Sequence, residues 1–181
     1  MNKNDARVRY TQYVLKESFF KLLKKKPVNK ITVKEVCELS GLNRSTFYSH
    51  YSDCFALMEA IEDELLYDFE KALAGIKDYN VDDLIAGIYA MIDRNEGACR
   101  ALILNGGSSM IVYKMIENAR ARSIELWKKL VPKANDVELE MLYTHLSNGL
   151  MNVVVQGYDK YSREEITAFV NKMVRGSLRE L

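Results

Sequence analysis

The sequence predicts an all-helical protein built from a small N-terminal unit and a larger C-terminal helical bundle. Apolar residues recur at helical spacing along most of the chain, and no alternating run is long enough to suggest a sheet. Only 2 Pro and 9 Gly are spread over 181 residues, too few turn breakers for a many-stranded sandwich or barrel. Hydrophobic residues at 48% and charged residues at 28% describe a folding globular chain rather than a disordered one. At about 100 to 200 residues per domain, this length holds one domain or a small one joined to a larger.

The elements follow in order. Tyr10, Val14, Leu15, Phe19, Leu22 and Leu23, with lysines between them, form an amphipathic first helix that ends before Pro27. Thr32-Val-Lys-Glu35 is a capping box opening a second helix with Val33, Val36 and Cys37 as its buried stripe. Ser40-Gly41 closes that helix with a left-handed cap. Asn43 or its neighbour caps a short third helix reaching about His50, with Phe47 and Tyr51 pointing one way and Arg44, Ser45, Tyr48 and Ser49 facing outward. Ser52-Asp53 starts a long fourth helix, with Phe55, Met58, Ile61, Leu65 and Phe69 as its apolar face, running to about Gly75. Five further helices are expected near 82–95, 97–104, 109–131, 136–157 and 163–178, separated by Asn80, Glu96-Gly97, Asn105-Gly106-Gly107, Pro132 and Gly157. Ser162-Arg-Glu-Glu165 is a second capping box, opening the last of them.

Charge divides the chain where the elements do. Residues 1–52 hold eleven Lys or Arg against four acids, a net of +7, and the remainder holds fifteen against twenty-one, a net of −6. A basic head on an acidic body suggests that the head meets a polyanion. The expected domains are a head over 1–52, running into the helix at 53–75, and a body over 53–181. No apolar run reaches the roughly 18 residues of a membrane span, and the first residues lack the apolar core of a signal peptide, so a cytoplasmic protein without membrane contact is expected. Cys37, Cys54 and Cys99 are too widely spaced for a disulfide framework or a zinc site.

Between Thr32 and Tyr51, helix, tight turn and short helix occupy about twenty residues, with a small side chain at Cys37, a reversal at Gly41 and apolar locks at Val36, Leu42 and Phe47. This is a helix-turn-helix, whose second helix places its N-terminal residues in the major groove of duplex DNA. Arg44 is the best base reader, because its planar fork pairs with two acceptors on guanine, and Ser45 and Ser49 suit base edges or nearby phosphates. Thr32, Thr46, Tyr48 and His50 suit phosphate contacts that set register, and Asn43 completes the set at the start of the helix. Taken singly, each is also consistent with an ordinary exposed polar residue.

The run from Ile31 to Tyr51, followed by Phe55-Ala-Leu57, resembles the DNA-binding domain of TetR/AcrR-type transcriptional regulators. The signature residues are matched by Thr32, Cys37, Gly41, Thr46, Phe47, Tyr48, His50 and Tyr51. The resemblance covers about residues 8–60 and implies an all-helical homodimer of roughly nine helices per subunit, with a DNA-binding head and a body for dimerisation and effector binding. Two departures stand out. Cys54 occupies a position where the family usually has a phosphate-contacting Lys, and Asn43-Arg44-Ser45 replaces the commoner Ser-x-Gly. The body, at Ala101 to Gly107 and Leu146 to Gly157, resembles more loosely a TetR subgroup common in Gram-positive bacteria.

In the body, the helix at 136–157 carries Leu139, Leu142, Leu146, Leu150, Val153 and Val154 around much of its circumference, and the last helix adds Ile166, Phe169, Val170, Met173 and Val174. A helix apolar on more than one side lies deep in its own core or is shared with a partner. The favoured reading is a dimer seam through Leu146, Leu150, Val153, Phe169 and Met173. Tyr89, Met91, Met110, Tyr113, Met115, Trp127 and Tyr143 are candidates for lining an effector pocket, with His145 as a polar contact, although such residues also suit a plain core. There is no glycine-rich phosphate loop, paired-His metal motif, Cys-x-x-Cys or nucleophile elbow, so neither an enzyme nor a bound cofactor or metal is expected. The expected partners are double-stranded DNA, a second copy of the chain and a small-molecule effector. The function expected is ligand-responsive repression at a palindromic site. The alternative is a helical interaction protein or activator working through a protein partner, with DNA binding weakened by the missing Lys at position 54.

Overall fold

The computed structural model describes residues 3–74, 80–104 and 109–179. Among them are nine α-helices and no strand. They are α1 (Lys3–Leu23), α2 (Val33–Ser40), α3 (Arg44–Tyr48), α4 (Cys54–Ala74), α5 (Val81–Arg94), α6 (Glu96–Cys99), α7 (Ser109–Leu130), α8 (Asp136–Gly157) and α9 (Arg163–Arg179). A single 3₁₀ turn (Val28–Lys30) follows Pro27, and α6 passes directly into a π-helical segment (Arg100–Leu104). The expected helix at 97–104 is therefore one α turn and one wider turn. Asn105, Gly106 and Gly107, expected to break the chain there, and Gly75, the expected end of α4, lie outside the described residues.

The chain forms two compact units, Met1–Leu65 and Leu66–Leu181. The boundary falls inside α4, further along than the expected division after Ser52. In the first unit α1 packs on α2 and α2 on α3, around a core that includes Leu15, Phe19, Val36, Phe47, Leu57 and Ile61. Two expected core positions prove to face outward. Tyr10 is 68% and Phe55 57% exposed, while Thr11 and Ser18 on α1 and Cys54 and Leu57 on α4 take the inward places. Both helices carry apolar residues on adjoining faces, so spacing alone did not settle which face turns inward. Met58 and Val33 are half-buried.

The caps are as the sequence requires. The Thr32 hydroxyl accepts from the Glu35 amide while the Glu35 carboxylate accepts from the Thr32 amide. Asp53 Oδ1 accepts from the amides of Phe55 and Ala56, each at 2.8 Å, and so opens α4. Ser162 and Glu165 form the same reciprocal pair at α9. A further capping box, Asn135 with Glu138, opens α8; its Asn in place of Ser or Thr is the reason the sequence pattern passed over it.

In the second unit α7 packs on α8, α5 on α9, and α8 on α9. Gly157 ends α8 where a Cβ would stand 3.0 Å from both Ile166 Cδ1 and Tyr161 Cδ2, so the turn into α9 closes on a residue without a side chain. No described helix is long and apolar enough to cross a membrane.

Gly41 holds φ +69 with open space where a Cβ would point, so the penalty for substitution there is conformational only. Gly41→Ala is expected to destabilise the protein by about 1 to 2 kcal/mol, and Gly41→Asn by less, as read from urea unfolding followed by circular dichroism.

Candidate nucleic-acid interface

The short helix α3 is fixed to the head by one side chain. Phe47 is fully buried, with Tyr51 tilted against it at a ring separation of 5.9 Å and Tyr48 edge-on at 5.7 Å. With Phe47 inward, helical geometry turns the remaining positions out. Arg44, Ser45 and Ser49 are exposed, Tyr48 is 56% exposed, and Thr46 and His50 are half-buried.

Asn43 caps this helix, its Oδ1 accepting from the Thr46 amide and the Ser45 hydroxyl, each at 2.7 Å. Ser45 is thereby oriented by Asn43, and Ser49 donates to the Thr46 carbonyl at 2.7 Å. These bonds hold the two serines in place while leaving acceptor lone pairs outward. Thr32, exposed at the start of α2, is engaged with Glu35. Among the eight expected contacts, Asn43 to His50 thus lie on or beside one outward face of α3, and Thr32 stands at the N-terminus of the preceding helix, where backbone amides suit a phosphate.

The electrostatics of the head are partly internal. Lys26 donates to Glu35 at 2.6 Å, and Lys16 pairs with Glu64 across α1 and α4. Lys26 and the Thr32 hydroxyl and amide together hold the Glu35 carboxyl down at about 2. Lys21, Lys24, Lys25, Lys30 and Arg44 remain exposed to solvent and carry the positive field of the head outward.

Cys54 is only 4% exposed, and burial, followed by the neighbouring Asp53 charge, pushes its thiol up to about 11. At this position the chain has a neutral core residue rather than a surface cation. The nearest outward side chain at the start of α4 is Phe55, an exposed aromatic that spacing had assigned to the interior.

In the body, the residues expected around an effector do not come together. Trp127 and Tyr143 line one cavity of about 70 Å³, their rings 5.8 Å apart. Tyr89 is buried elsewhere, stacked on Tyr158 at 5.7 Å with the Arg163 guanidinium 4.6 Å above its ring. Met110 and Tyr113 are 56% and 60% exposed on α7 and face away from any enclosed space, because Ile111 and Met115 take the buried positions of that helix. Met91 and Met115 are buried and do not line the cavity. His145 is exposed and lines the open groove between α8 and α9 with Leu146, Leu150, Val153, Phe169 and Met173. In that groove Phe169 is 50% and Met173 40% exposed, so an apolar face of α9 is uncovered in the single chain.

The first unit is basic and carries an outward-facing helix-turn-helix, and the second is a helical bundle with a small cavity. The chain is similar to a TetR transcriptional regulator from Streptococcus agalactiae 2603V, 20% identical, with a TM-score of 0.65 over 94% of this chain and 97% of that one. It is similar also to a TerR/AcrR-family transcriptional regulator from Aquifex aeolicus VF5, 16% identical, with a TM-score of 0.61 over 91% of this chain and 98% of that one. The dihydroxyacetone kinase operon activator DhaS shares the fold at 12% identity and a TM-score of 0.54, over 94% of this chain and 97% of that one. No family model matches the sequence, and no curated protein matches it. The fold is that of the TetR/AcrR-type regulators, as the helix-turn-helix segment led one to expect.

Two outcomes test this local architecture. Asn43→Ala is expected to cost about 1 kcal/mol of stability by removing the cap, and Asn43→Ser to recover most of it, as measured by urea unfolding. The depressed Glu35 carboxyl stabilises the folded head fully above its ordinary value of 4.5 and loses that contribution as pH falls toward about 2. The melting temperatures of the natural protein and Glu35→Gln are accordingly expected to differ at pH 6 and to converge between pH 4.5 and about 2.

Proposed function

We propose that the protein is a sequence-specific DNA-binding transcriptional regulator, acting as a homodimeric repressor that a small molecule releases from its site. The observation that carries this reading is the outward face of α3, where Phe47 is locked inward and Arg44, Ser45, Tyr48 and Ser49 are presented together. Arg44 reads guanine in the major groove, the serines read adjoining base edges, and Thr32, Thr46, Tyr48 and His50 meet phosphates. The exposed lysines of α1 and the following turn add attraction that is independent of sequence.

The uncovered groove of α8 and α9 is the proposed dimer seam. Leu150, Val153, Phe169 and Met173 present apolar surface there, and Gly149 and Gly176 leave open space where a Cβ would be, which permits close approach of a second copy. A two-fold pair of heads reads a roughly palindromic site, one duplex turn between half-sites. Helix α4 runs from Cys54 and Leu57 in the first unit to Phe69 and Leu73 in the wall of the body cavity. An occupant that displaces those two side chains therefore acts on the same helix that carries Cys54 and Leu57 in the head. A coupling of about 1 to 3 kcal/mol between the two arrangements suffices for regulation.

Repression needs only that the dimer occupy its site and exclude other proteins, whereas activation requires a further protein-binding surface. DhaS, named as an activator, shares the fold, and for this chain the sign of regulation is read by a transcription assay with purified components. Fluorescence anisotropy against the DNA upstream of its own gene is expected to show binding that weakens steeply with salt. Arg44→Ala is expected to lose about 1 to 3 kcal/mol of preference for the specific site. Salt-insensitive binding, or none, would overturn the proposal. Phe169→Asp together with Met173→Asp is expected to yield monomers in sedimentation, with loss of binding to the full palindrome.

A further inference from the structure

The cavity of the second unit has a composition that selects its occupant. Its walls come from the end of α4, from α5, α7, α8 and one residue of α9, and are mostly aliphatic and aromatic. Among the described residues neither Asp nor Glu lines it, and Arg122, the one charged residue among them, is exposed to solvent. A cation entering such a space loses its hydration and gains no counter-charge. The Tyr143 hydroxyl is already committed, donating to the Ile116 carbonyl.

One buried hydroxyl in the described wall is uncommitted. The Ser147 oxygen is buried and has no hydrogen-bond partner. A helical hydroxyl ordinarily satisfies itself on the carbonyl one turn back. Thr144, three residues earlier on the same helix, does so with Glu140 at 2.9 Å, and Thr11 and Thr167 do the same with Arg7 and Arg163. Ser147 does not, although a buried unmet hydroxyl is costly.

We infer that the cavity binds an uncharged, largely apolar small molecule carrying one hydroxyl or carbonyl oxygen, which pairs with Ser147. The volume of about 70 Å³ is about half of the 150 Å³ that accommodates benzene in an engineered apolar cavity. A ring-sized occupant therefore parts the walls as it enters, and Phe69 and Leu73 of α4 are among the side chains it moves. The consequence for DNA rests on the regulator reading above, while the binding itself is measured without DNA.

Trp127, the single tryptophan of the chain, lines the cavity and reports directly on occupancy. The full-length protein is titrated with cyclohexanol, methylcyclohexane, cyclohexylamine and cyclohexanecarboxylate at neutral pH, and Trp127 emission is followed. Cyclohexanol is expected to give a saturable change, and the two charged probes to bind at least roughly tenfold more weakly. Ser147→Ala, which suits a helix and leaves circular dichroism unchanged, is expected to weaken cyclohexanol about tenfold and methylcyclohexane not at all. Equal effects on both, a charged probe binding as tightly as the alcohol, or no saturable response to any of the four would overturn the inference. Anisotropy of probe-free protein with operator DNA separates the two ideas. Failure there removes the regulator reading and leaves the emission result standing, and the reverse pattern removes the ligand class alone.

Discussion

Burial of Phe47 is the constraint on which the head depends. The helix that carries it is only five residues long, far too short to persist in water on its own. Its structure is therefore borrowed from tertiary packing. A fully buried Phe contributes about 1.5 to 3 kcal/mol, the Asn43 cap closes one end of the helix, and the left-handed turn at Gly41 fixes its entry. With those three points set, rotation of α3 about its axis is no longer free, and the outward side chains have one arrangement. The outward surface of α3 is thus specified by the residues that anchor the helix.

The same economy governs charge. Several basic residues of the first unit are spent on holding it together, as Lys16 is on Glu64 and Lys26 on Glu35. The formal excess of that segment overstates what faces outward. The exposed cations among the described residues of that segment are Arg7, Arg9 and Lys21 on α1, Lys24, Lys25 and Lys30 after it, Lys34 on α2 and Arg44 at the start of α3. Cys54 fits this division, since a buried neutral thiol at the beginning of α4 strengthens the interior at the expense of one exterior cation.

Local chemistry was largely legible in the sequence, because caps, turns and short-range periodicity depend on neighbours a few residues apart. Thr32 with Glu35, Gly41, Asn43 and Ser162 with Glu165 all stand where the sequence placed them. The phase of two helices was not legible. Tyr10 and Thr11, and Phe55 and Cys54, compete for the inward position, and only the shape of the partner helices decides in favour of the smaller residue. The body was harder for a related reason. Aromatic and methionine residues advertise a pocket no more than a core, and whether Tyr89, Met110, Tyr113 or His145 meets Trp127 depends on packing between helices rather than on spacing within one. Ser147 gave no signal as an unpartnered hydroxyl, since a serine within a helix is ordinarily satisfied by its own backbone.

The division of the chain inside α4 carries a consequence for engineering. Where modules are joined by a flexible linker, one is exchanged for another with little regard to spacing. Here the junction between Leu65 and Leu66 lies within the continuous helix α4, and each residue inserted there adds about 1.5 Å and about 100° to that helix. A splice at this point is therefore a join of helix to helix, and its residues must be helix formers rather than the glycines and serines of a flexible connector.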